Sequence, residues 1–144
     1  MTDTKVCRRC GEAQPPTAFE KRRTCNICRA KQSVVRSERN WRQCFELILR
    51  GARRRRGNLV TLTADDCVEM IVEQRGLCAL SGVKLTRRQG DLAKVSIDRL
   101  DHGSEYVVGN VRLVTWAVNR MRNTMSDQEF LTWIKAIANT AAES

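Results

Sequence analysis

Residues 96–122 read SIDRLDHGSEYVVGNVRLVTWAVNRMR, and this stretch decides the fold. Val95-Ser-Ile-Asp98 alternates apolar and polar residues, which predicts a strand ending at a polar site. Val107, Val108, Val111, Leu113 and Val114 predict a second short strand around a turn at Gly109-Asn110. Trp116 to Met121 predicts the start of a helix. The order is strand, strand, helix, with a carboxylate at the end of the first strand.

Working outward, Cys78 to Leu85 predicts a strand-and-turn element around Ser81-Gly82, followed by the polar loop TRRQGDLAK at 86–94. Thr63-Ala-Asp-Asp66 opens a short helix, because Thr63 can cap it and carboxylates in the first turn suit the helix dipole. Val68, Ile71 and Val72 continue its apolar face and Gly76 stops it. Ser126-Asp-Gln-Glu129 is a capping box for a last helix. Phe130, Trp133, Ile134 and Ile137 follow at helical spacing and predict a core-packing stripe. Upstream, Trp41, Phe45 and Ile48 predict an amphipathic helix within 31–50, where Val34, Val35, Leu47 and Leu49 are further apolar positions. GARRRRGN at 51–58 is expected to end that helix as a basic connector.

The N-terminal stretch 5–30 contains both prolines and almost no periodic apolar pattern, so it cannot build a core alone. It does contain Cys7-x2-Cys10 and Cys25-x2-Cys28, separated by fourteen residues. Two such knuckles can place four thiolates tetrahedrally around Zn²⁺ at about 2.3 Å. The loop would then take its fold from the metal. Four cysteine ligands leave no open position for substrate, so the expected role is structural. Arg8, Arg9, Lys21, Arg22, Arg23, Arg29 and Lys31 surround the knuckles, either as phosphate contacts or as an ordinary solvated surface. Cys44, Cys67 and Cys78 lack metal-like spacing, and an odd count of seven cysteines argues against a paired disulfide framework.

Composition sets the class of partner. Hydrophobic residues at 42% and charged residues at 29% are those of a folded globular chain. No apolar run approaches a membrane span, and no secretory leader pattern opens the sequence, so the expectation is a cytoplasmic protein without a membrane partner. Lys and Arg number 26 against 16 Asp and Glu, a formal charge of +10, which favours a polyanion. Arg50 lies one helical turn before Arg54, and Arg53, Arg54, Arg55 and Arg56 are consecutive, making these five the candidate nucleic-acid contacts.

The stretch 96–122 resembles the HNH (ββα-metal, His-Me finger) nuclease motif, in the variant where Asp-Arg stands at the place usually occupied by Asp-His. The upstream CALSGVKLT, preceded by EQRG, is similar to the lead-in of phage-type HNH endonucleases, and the resemblance covers roughly residues 52–136. The attached CxxC…CxxC module also resembles phage and mobile-element nucleases. The resemblance implies an α+β fold: a ββα-metal core with flanking helices plus an N-terminal zinc module. The expected division is 1–31 zinc-binding module, 32–58 basic helix and connector, and 59–144 nuclease-like domain.

By the same resemblance, Asp98 matches the first-strand metal ligand and Asn110 the central asparagine that braces the loop between strands. Asn119, nine residues later, matches the second metal ligand. A hard cation such as Mg²⁺ or Mn²⁺ would accept a carboxylate and an amide oxygen and stabilise the leaving oxygen of a DNA phosphodiester. Each residue alone has an ordinary explanation: an ion pair, a turn, a helix surface.

Two departures stand out. The usual general base after the first ligand is replaced by Arg99, and arginine cannot deprotonate water at neutral pH. His102, the single histidine, is then the candidate base, and Arg99 a phosphate clamp or charge stabiliser, or else an ion-pair partner of Asp101 or Glu105. Second, no CxxC flanks the core, so one zinc site is expected, with Trp116, Val118 and Met121 packing where other members carry metal.

Two functions compete. One is a divalent-metal-dependent DNA endonuclease, phage- or mobile-element-encoded. The other is a catalytically degenerate HNH-fold zinc protein acting as a DNA-binding or regulatory module. An RNA-binding zinc protein is weaker, since the seven aromatic residues form no stacking cluster. The expected partner is DNA, bound by a monomer or a homodimer.

Overall fold

A computed structural model of the chain describes residues 4–19 and 23–143. The expected sites Lys21 and Arg22 lie outside the described residues, as do the side chains of Lys31 and Val34. The chain divides into two compact units, residues 1–40 and 41–144, with the division inside one long helix.

The first unit opens with β1 (Lys5–Val6) and β2 (Ala13–Gln14), a two-rung antiparallel hairpin. The Cys7 N–H donates to Glu12 O at 2.9 Å and the Gly11 N–H to Cys7 O at 2.9 Å. Gly11 has φ +74, a left-handed conformation that glycine adopts without a Cβ penalty. Cys7, Cys25, Cys28, Ala18 and Phe19 are this unit's buried side chains among the described residues. Too few apolar groups are present to hold such a unit by burial alone.

Helix α1 (Asn26–Arg56) is longer than the sequence predicts. Gly51 does not stop it. A helical glycine costs about 1 kcal/mol relative to alanine. Burial of Leu49 and Ala52 offsets this, and four arginines in the last turn face the negative end of the helix dipole. The basic connector is therefore helix, and its four consecutive arginines point in directions about 100° apart.

In the second unit, α2 (Ala64–Glu73) starts at a capping box formed by Thr63 and Asp66. Strands β3 (Val95–Arg99) and β4 (Val111–Thr115) pair antiparallel, placing Ile97 opposite Leu113 and Asp98 opposite Arg112. Val107 and Val108 precede β4, and Val108 is exposed. Helix α3 (Trp116–Arg122) follows at once, its first turn capped by the Thr115 hydroxyl accepting from Val118 N–H at 3.2 Å. This is the ββα unit. Helix α4 (Asp127–Ala142) begins at the Ser126–Glu129 capping box.

The core of this unit joins Phe45, Leu49 and Ala52 of α1, Cys67 and Ile71 of α2, the inward residues of β3 and β4, Val118 and Phe130. Trp41 stacks on Phe45 with ring centroids 5.8 Å apart. The stripe expected on α4 is narrower than its spacing suggests. Phe130 is buried and Ile134 partly so, while Trp133 and Ile137 are each 63% exposed. They sit on the flank of the helix turned from the core. On α3, Val118 is buried, but Trp116 and Met121 are largely exposed, so they do not pack where a second metal would lie. Among the described residues, no helix is long and apolar enough to cross a membrane.

Candidate active site

In the first unit, the sulfur atoms of Cys7, Cys10, Cys25 and Cys28 all lie within 4.8 Å of one another. Cys7 Sγ accepts the backbone N–H groups of Arg9 and Cys25, each at 3.4 Å. Led by the Cys25 N–H, backbone donors lower the Cys7 thiol to about 6. Burial and then the neighbouring thiols push Cys28 up to about 12. Four sulfurs in one small cage cannot all ionise unaided, and a divalent soft-tolerant cation would supply the missing positive charge. The four residues fit a structural Zn²⁺ in number, type and proximity. This is the one metal-competent cluster of histidine, cysteine or carboxylate groups among the described residues.

In the second unit, a cleft of about 450 Å³ opens beside the end of β3 and the face of α3. Arg56, Asp98, Arg99, His102, Tyr106, Asn119, Arg120, Asn123 and Thr124 line it. Four of the five residues expected to be catalytic therefore meet at one place: Asp98, Arg99, His102 and Asn119. Asn110, the fifth, lies in the preceding loop. Its Oδ1 accepts from the Asp101 N–H at 3.0 Å, and its Nδ2 donates to Asp101 O at 3.1 Å and Glu105 O at 2.9 Å. These three bonds close the loop between the strands.

Arg99 donates to Ser104 O at 2.9 Å and stacks over the Tyr106 ring, its guanidinium carbon 4.7 Å from the centroid. It makes no ion pair with Asp101 or Glu105. Asp101 instead accepts from Ser104 Oγ and the Gly103 N–H, and these bonds hold its carboxyl below the usual carboxylate range. Arg120 lies over Trp116, one turn earlier on α3. The cleft thus gathers Arg56, Arg99 and Arg120 with no ion-pair partner for any of them among the described residues.

Asp98 is a different case. It is only 1% exposed, and its carboxylate is taken up by two arginines. Oδ2 accepts from Arg112 Nε at 3.0 Å and forms an ion pair with its Nη2 at 3.0 Å, and Oδ1 accepts from Arg122 Nη1 at 2.9 Å. Both arginines also hold Asp127 at the start of α4: Arg112 through Nη1 and Nη2 at 2.6 Å each, and Arg122 through Nε at 2.9 Å. Asn119 Nδ2 donates to Ser96 Oγ at 2.6 Å and to Ile97 O at 3.4 Å, leaving Oδ1 without a partner among the described residues. Of the carboxylate and amide pair that the resemblance implies, only the Asn119 amide oxygen stands open to a divalent cation. Placed against Asp98, it would also sit beside two guanidinium charges. The residues as arranged do not fit the two-ligand site.

Of the five expected nucleic-acid contacts, only Arg56 reaches this cleft. Arg50, Arg53 and Arg54 line a second groove with Glu46, Leu49 and Ala64, about 490 Å³ in volume. Arg53 Nη2 donates to Leu62 O at 2.6 Å, so it also ties α1 to the segment before α2. Arg55 lines neither of these two clefts.

The residues that sequence reading passed over are Arg112, Arg122, Tyr106, Arg120, Asn123 and Thr124. The register that sets Arg112 opposite Asp98 is symmetric about Glu105, so counting outward from the Gly109-Asn110 turn does not find it. Helical spacing could have put Arg122 one turn after Asn119. Nothing local in the sequence marks Asn123, whose φ of +48 lets the chain leave α3 along the rim of the cleft.

No family model matches the chain, and no curated protein matches it. Among solved structures it is similar to the rare-cutting HNH restriction endonuclease PacI, with 18% sequence identity, a TM-score of 0.48 and 94% of each chain covered.

Proposed function

We propose that the chain acts on DNA as an HNH-type phosphodiester hydrolase, with the cleft beside β3 and α3 receiving the phosphate. The observation that carries this reading is the meeting of Asn119 with three guanidiniums that have no ion-pair partner among the described residues, Arg56, Arg99 and Arg120, beside a ββα unit. Guanidinium groups present planar N–H forks that match phosphate oxygens. Held before the reaction, they would also stabilise the extra negative charge that accumulates on the phosphoryl oxygens during attack. Arg99 is pre-oriented by Tyr106 and Ser104, and Arg120 by Trp116, so little reorganisation is needed. The net charge of +10 supplies long-range attraction for the duplex. The four-cysteine cage would hold Zn²⁺ as a structural element, and a phage or mobile element is the setting the resemblance implies.

One observation favours the second reading, a DNA-binding module that does not cut. Asp98 is committed to Arg112 and Arg122, so the carboxylate that would bring in Mg²⁺ or Mn²⁺ is spoken for. Incubation of supercoiled plasmid with the purified chain and Mg²⁺ or Mn²⁺ separates the two. Hydrolysis predicts nicked circles, lost in Arg99→Ala and Asn119→Ala proteins that still melt cooperatively. Salt-sensitive binding without nicking under either metal would establish the module.

A further inference from the structure

Arg122, like Asp98, is only 1% exposed, and it reaches from α3 beneath the end of β3. Its Nη1 meets three acceptors: Asp98 Oδ1 at 2.9 Å, Arg99 O at 3.2 Å and His102 Nε2 at 2.9 Å. Its Nη2 donates to Leu100 O at 3.3 Å. A guanidinium has only donors and keeps its charge at every biological pH. At the contact with His102 the proton therefore belongs to Arg122, and Nε2 must offer a lone pair. Two N–H groups pointing at each other across 2.9 Å would repel, whether the ring is the neutral Nε2–H tautomer or the imidazolium.

A neutral imidazole that accepts through Nε2 has its proton on Nδ1. Burial, and then the Arg122 charge, also lower the affinity of this ring for a second proton. The consequence for chemistry is direct. A general base needs a lone pair aimed at the water it deprotonates. In His102 that lone pair is turned inward to Arg122. Nδ1–H has no hydrogen-bond partner among the described residues, and His102 lines the same cleft as Arg56, Arg99 and Arg120.

We propose that Arg122 is a positioning residue that fixes His102 as the Nδ1–H tautomer, so that His102 donates a hydrogen bond to a phosphate oxygen in the cleft and does not act as the base. The donor role rests on the reading of the cleft as a phosphodiester site, whereas the tautomer does not.

His102 is the chain's single histidine, so every imidazole signal belongs to it. The test is a long-range ¹H–¹⁵N correlation spectrum of the full chain near neutral pH, before and after adding a duplex oligonucleotide without divalent cation. The expected spectrum shows Nδ1 protonated and Nε2 bare, the reverse of the tautomer that free histidine prefers. Arg122→Lys retains a cation near Asp98 but loses the fork, and should return the ring towards the Nε2–H form. If that variant fails to fold, the wild-type spectrum decides alone. A wild-type ring with Nδ1 bare would overturn the proposal, because the nitrogen that Arg122 does not engage would then be a free base. On adding DNA, the Nδ1–H signal should shift while the tautomer persists. DNA that binds without moving this signal overturns the donor role while the cleft reading stands. DNA that does not bind at all removes the cleft reading and the donor role together, leaving the tautomer result intact.

Discussion

Asp98 and Arg112 face each other on one rung of the β3–β4 ladder, and Arg112 closes on the carboxylate through both Nε and Nη2 at 3.0 Å. Because Arg122 takes the other oxygen and both arginines share Asp127, two carboxylates and two guanidiniums form one neutral network at the junction of β3, β4, α3 and α4. A carboxylate in this position is first of all a structural hub. Removing it leaves two guanidiniums, one of them fully buried, with Asp127 as their one shared carboxylate, and breaking such a buried pair typically costs about 3–5 kcal/mol. Asp98→Ala should therefore lose roughly that much in urea denaturation. A variant as stable as the wild type would show that the hub does not hold the unit together.

The same network makes a pH prediction. Arg112, and then Arg122, lower the Asp127 carboxyl from its ordinary 3.8 to about 2. A depressed folded-state value means stability that is fully present above pH 4 and lost as the pH falls towards 2. The gap in melting temperature between the wild type and Asp127→Asn should close across that window. Asp127 is 42% exposed, so the effect is screened and should diminish with added salt. A gap constant from pH 5 to pH 2 would contradict the assignment.

Each cleft arginine that touches phosphate releases condensed counterions. Arg56→Ala, Arg99→Ala and Arg120→Ala should each weaken duplex binding and flatten the slope of log K against log salt by about 0.9. Arg53→Ala should differ: its bond to Leu62 O implies a loss of stability alongside any loss of affinity. Fluorescence anisotropy at several salt concentrations reads the slope. Unchanged slopes in all three cleft variants would place the DNA elsewhere.

Metal content is directly measurable. Elemental analysis should find one zinc per chain, absent from Cys25→Ser. Chelation should expose the tryptic bonds after Arg8, Arg9 and Arg23, which lie beside the four sulfurs, while the segment 59–143 resists. Equal digestion with and without chelator would argue against a metal-held unit.

On α4, truncation should be strongly position-dependent. Phe130→Ala removes a buried ring and should cost about 3–5 kcal/mol. Trp133→Ala, at a side chain 63% exposed, should change stability by less than about 0.5 kcal/mol. Similar losses at both positions would mean that Trp133 is covered in solution.

What the sequence made legible was whatever is local. Thr63 and Ser126 were readable as caps because a capping hydroxyl acts within three residues, and both capping boxes form. The strand ending at Asp98 followed from alternation, and the knuckles from spacing. The misreadings arose where tertiary context decides. Gly51 lies within a helix because Leu49 and Ala52 are buried on either side of it. Trp133 and Ile137 had helical spacing but no neighbour to cover them. Asp98 was recognisable as a special carboxylate, yet its partners lie 14 and 24 residues away, on another strand and on a helix. No local pattern encodes that pairing.

One rung of the ladder has a broader consequence. Ile97 and Leu113 pair across β3 and β4. On the outer side of Ile97 the Asn119 amide donates to its carbonyl. On the outer side of Leu113 the Gln74 amide both donates to the carbonyl at 2.8 Å and accepts from the N–H at 3.0 Å. Two side-chain amides thus stand where flanking strands would be. A hairpin with bare edges invites recruitment by the edge of another chain, and here the central rung meets a side-chain amide on each margin, with the Ala79 N–H also donating to Leu113 O at 3.0 Å. Asn119 and Gln74 act as hems: they occupy backbone groups at which the edge of another chain would otherwise pair, whatever chemistry takes place on the face of the sheet.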